Sequence, residues 1–481
     1  MTTAAQFHDA LQQAEASDIS DIIYLAPGTY VGNFEYTDAD EWALTIKGEP
    51  GTTAQNVILD GGDTGSVLKL YGSTLGITYA IEGITLRNGS DSALFCAFWS
   101  GQSMDLTVNS VIIENNHTNY SGGGISIETK AGSSCNAEIY DSIIRNNQAG
   151  KRGGGLYAHS YDGESSIELL LSNCLIYGNQ ADWTGGGIQL GASEVGVNNT
   201  TEVNIVNSTI TGNWLTNATG YGLGAGIKAH AYGGNGAEVS LGLYNTIVYD
   251  NTRPGDFVQD LCIDEQGLGT TTVDAYYCNI GDVFIEHVTA TYNSGYMINA
   301  NPKFVNPAGG DYHLTQDSPC IDSGTSFTNM PQTDIEGNPR VTGTKPDIGA
   351  YEYVGTPAEP ILAYSPNSLN FVATEGGPNP PAQTLDIWNS GPGTLNWSIW
   401  APVWLSPSVW SGSSTGEIDT ITASANISGR VAGEYDSTIM ILGAPTTTHV
   451  PVYLTINPLL PAVDEPTAAD GFASIAPFLC L

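Results

Sequence analysis

Residues 140–147 read YDSIIRNN, and the same phrase returns as NSVIIENN at 109–116, SNCLIYGN at 172–179, VNSTITGN at 206–213 and YNTIVYDN at 244–251. A looser version, IEGITLRN, occupies 81–88. The final asparagines, Asn88, Asn116, Asn147, Asn179, Asn213 and Asn251, stand 28, 31, 32, 34 and 38 residues apart. Each interval reads as one coil of a solenoid, slightly longer than the last.

A second marker follows most of these phrases: GGGI from Gly122, GGGL from Gly153, GGGI from Gly185 and the variant GAGI from Gly224. Glycine there permits backbone approaches that a Cβ would block. Residues after it alternate, with Ile125, Leu156, Ile188 and Ile227 and then Ile127, Ala158, Leu190 and Ala229 expected to face inward. That is strand periodicity. Before each asparagine lies another alternating strand, whose apolar positions Val108, Ile139, Leu171, Ile205 and Leu243 align when the coils are stacked. Two to three short strands per coil follow. Stacking sets each strand beside its repeat neighbour at about 4.8 Å.

The fold class expected is therefore all-β: a right-handed parallel β-helix (solenoid), followed by an immunoglobulin-like β-sandwich. Asn116, Asn147, Asn179, Asn213 and Asn251 are expected to turn inward at a corner and hydrogen-bond along the stack. Phe7, Ala10, Leu11 and Ala14 have helical spacing, which suits a short N-terminal helix capping the first coil.

The I-x-x-N and GGG[IL] pairs over residues 20–300 resemble repeats of chlamydial polymorphic outer-membrane proteins and of many secreted bacterial β-helix proteins. Such a resemblance implies fold more than activity. Residues 301–354, with NPKFVNPAGGDYHLTQDSPCIDSG, DIEGNPR and KPDIGAYEY, resemble the closing module of secreted proteins of the choice-of-anchor type, which implies a cell-surface or extracellular destination. Proline-rich 355–360 reads as a linker. Residues 361–457 resemble bacterial immunoglobulin-like domains of the BACON type, which implies attachment to carbohydrate-active or mucin-binding proteins. The domains are thus 1–300, 301–354, the linker, 361–457 and a tail at 458–481, apolar at its end and a candidate for assembly.

Only 13 Lys and Arg oppose 50 Asp and Glu, a formal charge of −37. Nucleic acid is excluded as a partner, and a polyanion needs bridging cations. A neutral glycan or calcium suits this surface better. Seven cysteines show no CxxC or zinc spacing. Cys262 and Cys278 enclose a polar stretch and form the candidate disulfide for an oxidising compartment, with buried thiols as the alternative. No apolar run reaches the length of a transmembrane segment, and the N-terminus lacks a signal-peptide pattern, as in a mature or trimmed chain.

On the strands after the glycines, Ser126, Tyr157, Gln189 and Lys228 form an outward row, with Glu128, His159, Gly191 and His230 beside it. Tyr157, His159, Lys228 and His230 are the candidate catalytic residues, since a base and a charge-neutralising group are what a polysaccharide lyase needs. Glu128, Tyr157 and Gln189, with Trp397 and Trp404 of the sandwich, are the candidate ligand-binding residues, although tryptophans in a sandwich more often fill its core. Polar outward rows are also what any solenoid presents.

Pectate-lyase chemistry wants clustered basic residues, and only Arg145, Lys151 and Arg152 cluster. Glu114 is placed to neutralise Arg145 from the adjacent coil. On the strand before each asparagine, Asp105, Asn136, Glu168 and Glu202 point outward, and the adjacent like charges of Glu168 and Glu202 make them the candidate calcium ligands. No HExxH or polygalacturonase-like aspartate pairing occurs. The sequons at Asn116 and Asn119 are what Asn- and Thr-rich turns produce unaided.

The expected function is an extracellular or cell-surface scaffold that binds a polysaccharide or cell-surface glycan without chemistry. The alternatives are a polysaccharide lyase or glycoside hydrolase on the same face, and a self-associating filament subunit.

Overall fold

The computed structural model describes the chain except for residues 38–41, 73–75, 195–197, 218–223, 234–235, 256, 288, 356–359, 392–393, 444–445 and 460–481. Cys480, most of the expected linker and nearly all of the tail therefore lie outside the described residues. The chain divides into two compact units, Met1–Val354 and Gly355–Leu481.

The first unit is a parallel β-helix. Among the described residues a first sheet of ten strands runs from Asp21–Leu25 through Ser134–Tyr140 to Thr291–Gly295, and a second of nine from Gly28–Val31 through Ile143–Arg145 to Asn279–Ile280. A third sheet of nine runs from Phe34–Thr37 through Leu156–Tyr161 to Val283–Ile285, and a six-stranded ribbon of short strands such as Gln148–Ala149 fills the corner between the second and third sheets. The coils thus carry three or, where the ribbon is present, four strands.

Register follows the repeat. Val108 pairs with Ile139, Ile139 with Leu171, Leu171 with Ile205 and Ile205 with Leu243, all fully buried. Each inward aliphatic removed from water contributes about 1.5–3 kcal/mol, and stacking places like upon like. At the N-terminal end the helix Ala4–Glu15 buries Phe7, Ala10, Leu11 and Ala14 over the first coil, and Thr3 Oγ1 accepts from the Gln6 N–H at 3.2 Å as its N-cap.

The two sequence markers are one device. Asn147 Nδ2 donates to Asn179 Oδ1 at 3.0 Å and to the Ile113 carbonyl at 2.9 Å, while its Oδ1 accepts from the N–H and Nδ2 of Asn116. The same bonds recur from Asn116 to Asn251, all buried. The third glycine of each triplet makes room for this ladder. A Cβ on Gly155 would lie 3.1 Å from the Asn179 amide, and one on Gly187 3.0 Å from that of Asn213.

The five expected asparagines form the ladder, and it ends differently on each side. Asn88 is not a member. It has left-handed backbone, φ 56°, like Asn115 and Asn146 one residue before their ladder partners. Gly89 takes the ladder place, donating its N–H to Asn116 Oδ1 at 2.8 Å. At the far end Asp260 replaces asparagine, accepting from the N–H and Nδ2 of Asn251 at 2.9 and 2.8 Å and from the Asp282 N–H. A carboxylate only accepts, so it ends the chain of amides.

Residues 301–354 do not add coils. They run back along the outside of the second sheet and bond to successive coils: Arg340 Nη2 donates to Asn173 Oδ1 at 2.7 Å, the Ala350 N–H to Thr209 Oγ1 at 3.0 Å, and the Thr325 N–H to Asn245 Oδ1 at 2.8 Å. Arg340, almost wholly buried, also donates to the carbonyls of Gly349 and Ala350.

The disulfide expected between Cys262 and Cys278 is absent. Cys278 sits in the apolar interior, whereas Cys262 alternates to the outer side of the third sheet beside the Lys228 ammonium, so one wall of the coil separates the two thiols. Burial pushes both thiols up to about 12.

The second unit is a β-sandwich. Leu362–Ser365, Gln383–Asn389, Asp419–Ala425 and Leu405–Pro407 form one sheet. Leu369–Thr374, Thr446–Asn457, Gly433–Gly443, Leu395–Trp400 and Ser411–Ser414 form the other. Its core includes Phe371, Leu385, Ile441 and Leu454. Trp397 and Trp404 belong to that core as well, so they are corrected from candidate ligand-binding residues to packing residues. Trp397 Nε1 donates to Asp419 at 2.8 Å, which satisfies its one polar atom. Trp400 and Trp410 are the exposed indoles.

Candidate functional site

The outer side of the third sheet carries three columns. The first holds Ser126, Tyr157, Gln189 and Lys228; the second Glu128, His159, Gly191, His230 and Asp264; the third Lys130, Tyr161, Ser193 and Tyr232. Alternation places these side chains outside the barrel wall, but the first column is buried. The cause is the glycine turn. The first glycine of each triplet, left-handed at Gly122, Gly153 and Gly185, folds directly onto the outward residue four positions later. A Cβ on Gly153 would meet the Tyr157 Cβ at 2.8 Å, and one on Gly185 the Gln189 Cβ at 2.8 Å. Tyr157, Gln189 and Lys228 are therefore corrected from an open contact row to a shielded one.

Around Tyr157 the polar groups satisfy each other. Its hydroxyl lies 3.0 Å from His159 Nδ1 and 2.5 Å from the Tyr161 hydroxyl, and His159 Nε2 lies 2.9 Å from Ser193 Oγ. The His159 and Tyr161 rings stack at 4.2 Å. Gly191 makes this possible, because a Cβ there would come within 2.3 Å of His159 Nδ1. Burial pulls the His159 imidazole down to about 3 and pushes the Tyr157 phenol up to about 12. Both groups are neutral across the physiological range. Burial also raises the Glu128 carboxyl, against the opposing pull of Lys130.

The downstream end is a charge cluster. Lys228 Nζ lies 3.0 Å from Asp264 and 2.8 Å from Glu286, and Asp264 in turn lies 3.4 Å from His230 Nε2 and 2.6 Å from His287 Nδ1. Burial works against the Lys228 ammonium, yet Cys262, Asp264 and Glu286 together hold it above its usual range. Burial, aided by Lys228 and Arg152, lowers His230 to about 4. Asp264, on Leu261–Gly267, and Glu286 and His287, just past Val283–Ile285, escaped the sequence reading because no glycine triplet precedes either segment; extending the His230 column by one coil would have found Asp264.

Aromatic rings border these columns. Lys130 Nζ lies 4.8 Å from both the Trp99 and the Tyr161 ring centres, and Lys151 lies between Tyr120 and Trp183 at 5.1 and 5.9 Å. Arg152 also rests over Trp183. Trp99, Tyr120, Trp183 and Tyr232 are all at least 40% exposed. The basic cluster expected from sequence is split: Lys151 and Arg152 join this border, while Arg145 lies on the second sheet, bonded to Glu114 at 2.5 and 2.8 Å and to the Tyr177 hydroxyl.

Glu168 and Glu202 occupy adjacent positions on the first sheet, where a concavity of about 130 Å³ is lined by both together with Asn136, Glu138 and Asn204. Among the described residues no group of three His, Cys, Asp or Glu side chains is placed to hold one metal ion. Among the same residues no helix is long and apolar enough to cross a membrane.

No family model matches the chain, and no curated protein does. Among solved structures, a pectin methylesterase from Yersinia enterocolitica aligns over 61% of this chain and 90% of its own at 12% identity and a TM-score of 0.29. The CsuC-CsuE chaperone-tip adhesion subunit pre-assembly complex of Acinetobacter baumannii aligns over 20% of this chain and 56% of the matched chain, at 12% identity and a TM-score of 0.17. The periplasmic chaperone SfaE aligns over 20% and 57%, at 10% identity and a TM-score of 0.15. The chain thus spans little more than half the length of the latter two. At such scores these likenesses carry nothing about activity, which is argued from the residues.

Proposed function

We propose that this protein binds a polysaccharide along the outer face of its third sheet, outside the cell or on its surface, without transforming it. The observation that carries the reading is the state of that face: the Tyr157 and His159 pair and the Lys228 and Asp264 pair are buried and bonded to each other, while exposed aromatic rings border the columns. A general base needs a pKa near the working pH and access to substrate. His159, at about 3 behind Tyr161 and Ser193, has neither. Flat exposed rings such as Trp99, Tyr120, Trp183 and Tyr232 suit pyranose faces. The net charge of −37 favours a neutral polymer over a polyanion.

The test is incubation with neutral and acidic polysaccharides, following retention of the protein on each polymer together with new reducing or unsaturated ends. Retention without new ends, weakened roughly threefold to tenfold by Trp99→Ala or Tyr232→Ala, is expected from losing one aromatic contact. New ends that vanish in His159→Ala or His230→Ala would overturn the proposal in favour of a lyase or hydrolase. Neither retention nor turnover would shift it to self-association, which electron microscopy would reveal as filaments.

A further inference from the structure

Asp264 and Glu286 stand side by side on adjacent coils, because the Glu286 N–H pairs with the Ile263 carbonyl at 2.9 Å. Two neighbouring carboxylates repel unless a cation lies between them. Lys228, from the coil before, reaches past Cys262 to both, with Nζ 3.0 Å from Asp264 Oδ2 and 2.8 Å from Glu286 Oε2. Its side chain is 4% exposed and that of Asp264 9%, so an ammonium and a carboxylate are held in contact away from bulk water. Burying such a pair costs heavily in desolvation, and its members stay at reacting distance.

We propose that Lys228 and Asp264 condense into an intramolecular amide, an isopeptide crosslink between adjacent coils of the solenoid. Glu286, at 2.8 Å, accepts a proton from the Lys228 ammonium while His287 delivers one to Asp264 Oδ1, which leaves a nucleophilic amine beside a carboxylic acid. The Nζ lone pair attacks Asp264 Cγ, the Cγ–Oδ1 bond breaks, and Oδ1 departs as water. Its two protons are those the ammonium gives up, passed on by Glu286 and by His287, whose Nδ1 lies 2.6 Å from Oδ1. One ammonium and one carboxylate become one amide and one water, with no oxidant or co-reactant. The product carries no charge, so condensation removes the desolvation cost of the buried pair. The proposal does not depend on glycan binding.

Intact-mass spectrometry of the purified full chain tests it. The wild type is expected to weigh one water less than its sequence, with tryptic cleavage after Lys228 blocked and a crosslinked fragment joining Lys228 to Asp264. Lys228→Arg, which keeps the cation but cannot form the amide, should restore the full mass. Glu286→Gln should also leave the full mass in a protein whose circular dichroism matches the wild type, because the proton acceptor is lost from a side chain 28% exposed. A folded wild type of full mass would overturn the proposal. So would a missing water that persists in Lys228→Arg, or a link mapped to Glu286 in place of Asp264.

Discussion

Replacing Asn147 by alanine interrupts the amide ladder at its middle, and the cost can be worked from the bonds lost. The side chain accepts from the Asn116 N–H at 3.1 Å and from Asn116 Nδ2 at 2.8 Å, and donates to Asn179 Oδ1 at 3.0 Å and the Ile113 carbonyl at 2.9 Å. The Asn116 amide keeps the carbonyls of Leu86 and Glu114, and Asn179 Oδ1 keeps the Asn147 N–H, so those partners are only partly stripped. The Asn116 N–H is left facing a hole. Four net bonds, one of them leaving a buried donor unpaired, amount to about 3–5 kcal/mol. Urea unfolding followed by circular dichroism, with amide exchange read at Asn116, measures this directly. Asn119→Ala, at an exposed position in the preceding coil, is the control and should cost little. A loss below about 1 kcal/mol for Asn147→Ala, or unchanged protection at Asn116, would refute the view that the ladder holds the corner.

Asp260, which ends that ladder, is pushed by burial to about 6, above the ordinary 3.8. Its folded form binds the proton more tightly than its unfolded form, so its contribution to stability should fall as pH rises from about 4 to about 6; subtracting an Asp260→Asn profile from the wild-type profile should isolate that slope. His159 lies at about 3, below its ordinary 6.5, so the stability gained from keeping it neutral is complete above 6.5 and drains away as pH falls towards 3. Imidazole titration by NMR should show it neutral at pH 5, and a midpoint near 6.5 would contradict the buried Tyr157 network. Trp397→Ala should destabilise the sandwich by about 3–5 kcal/mol and leave the solenoid transition in place, read by denaturation of the full chain.

The ladder, the inward columns and the capping helix were legible because each is a repeated local choice, checked again in every coil. Val108, Ile139, Leu171, Ile205 and Leu243 agree at one place in successive intervals, and one-residue slips would turn them all to the other face. The exposure of the third-sheet columns was not legible. Period-two alternation says which side of a strand Tyr157 and Gln189 leave from, but the turn that folds back over them is a matter of backbone path at Gly153 and Gly185. Asp264 and Glu286 were missed for the opposite reason. Their segments follow the register without either marker, and nothing local announces that a lysine one coil before Asp264 and two before Glu286 reaches them. Asn88 shows the limit at one residue: its chemistry fits the ladder, yet it occupies the left-handed position before it, which favours asparagine independently.

A stack of coils that touch only their neighbours melts like a zipper, from whichever end opens first, with each coil's loss almost independent of coils farther away. Residues 301–354 change that arithmetic. Arg340, Ala350, Thr325 and Cys320 are bonded to Asn173, Thr209, Asn245 and Asn279, four consecutive turns of the superhelix. Opening any one of these turns strips the splint of a partner, and at Asn173 that partner is held by an almost wholly buried guanidinium. The downstream coils should therefore come apart together in a single sharp step, while the upstream coils, outside the splint's reach, remain free to fray one at a time.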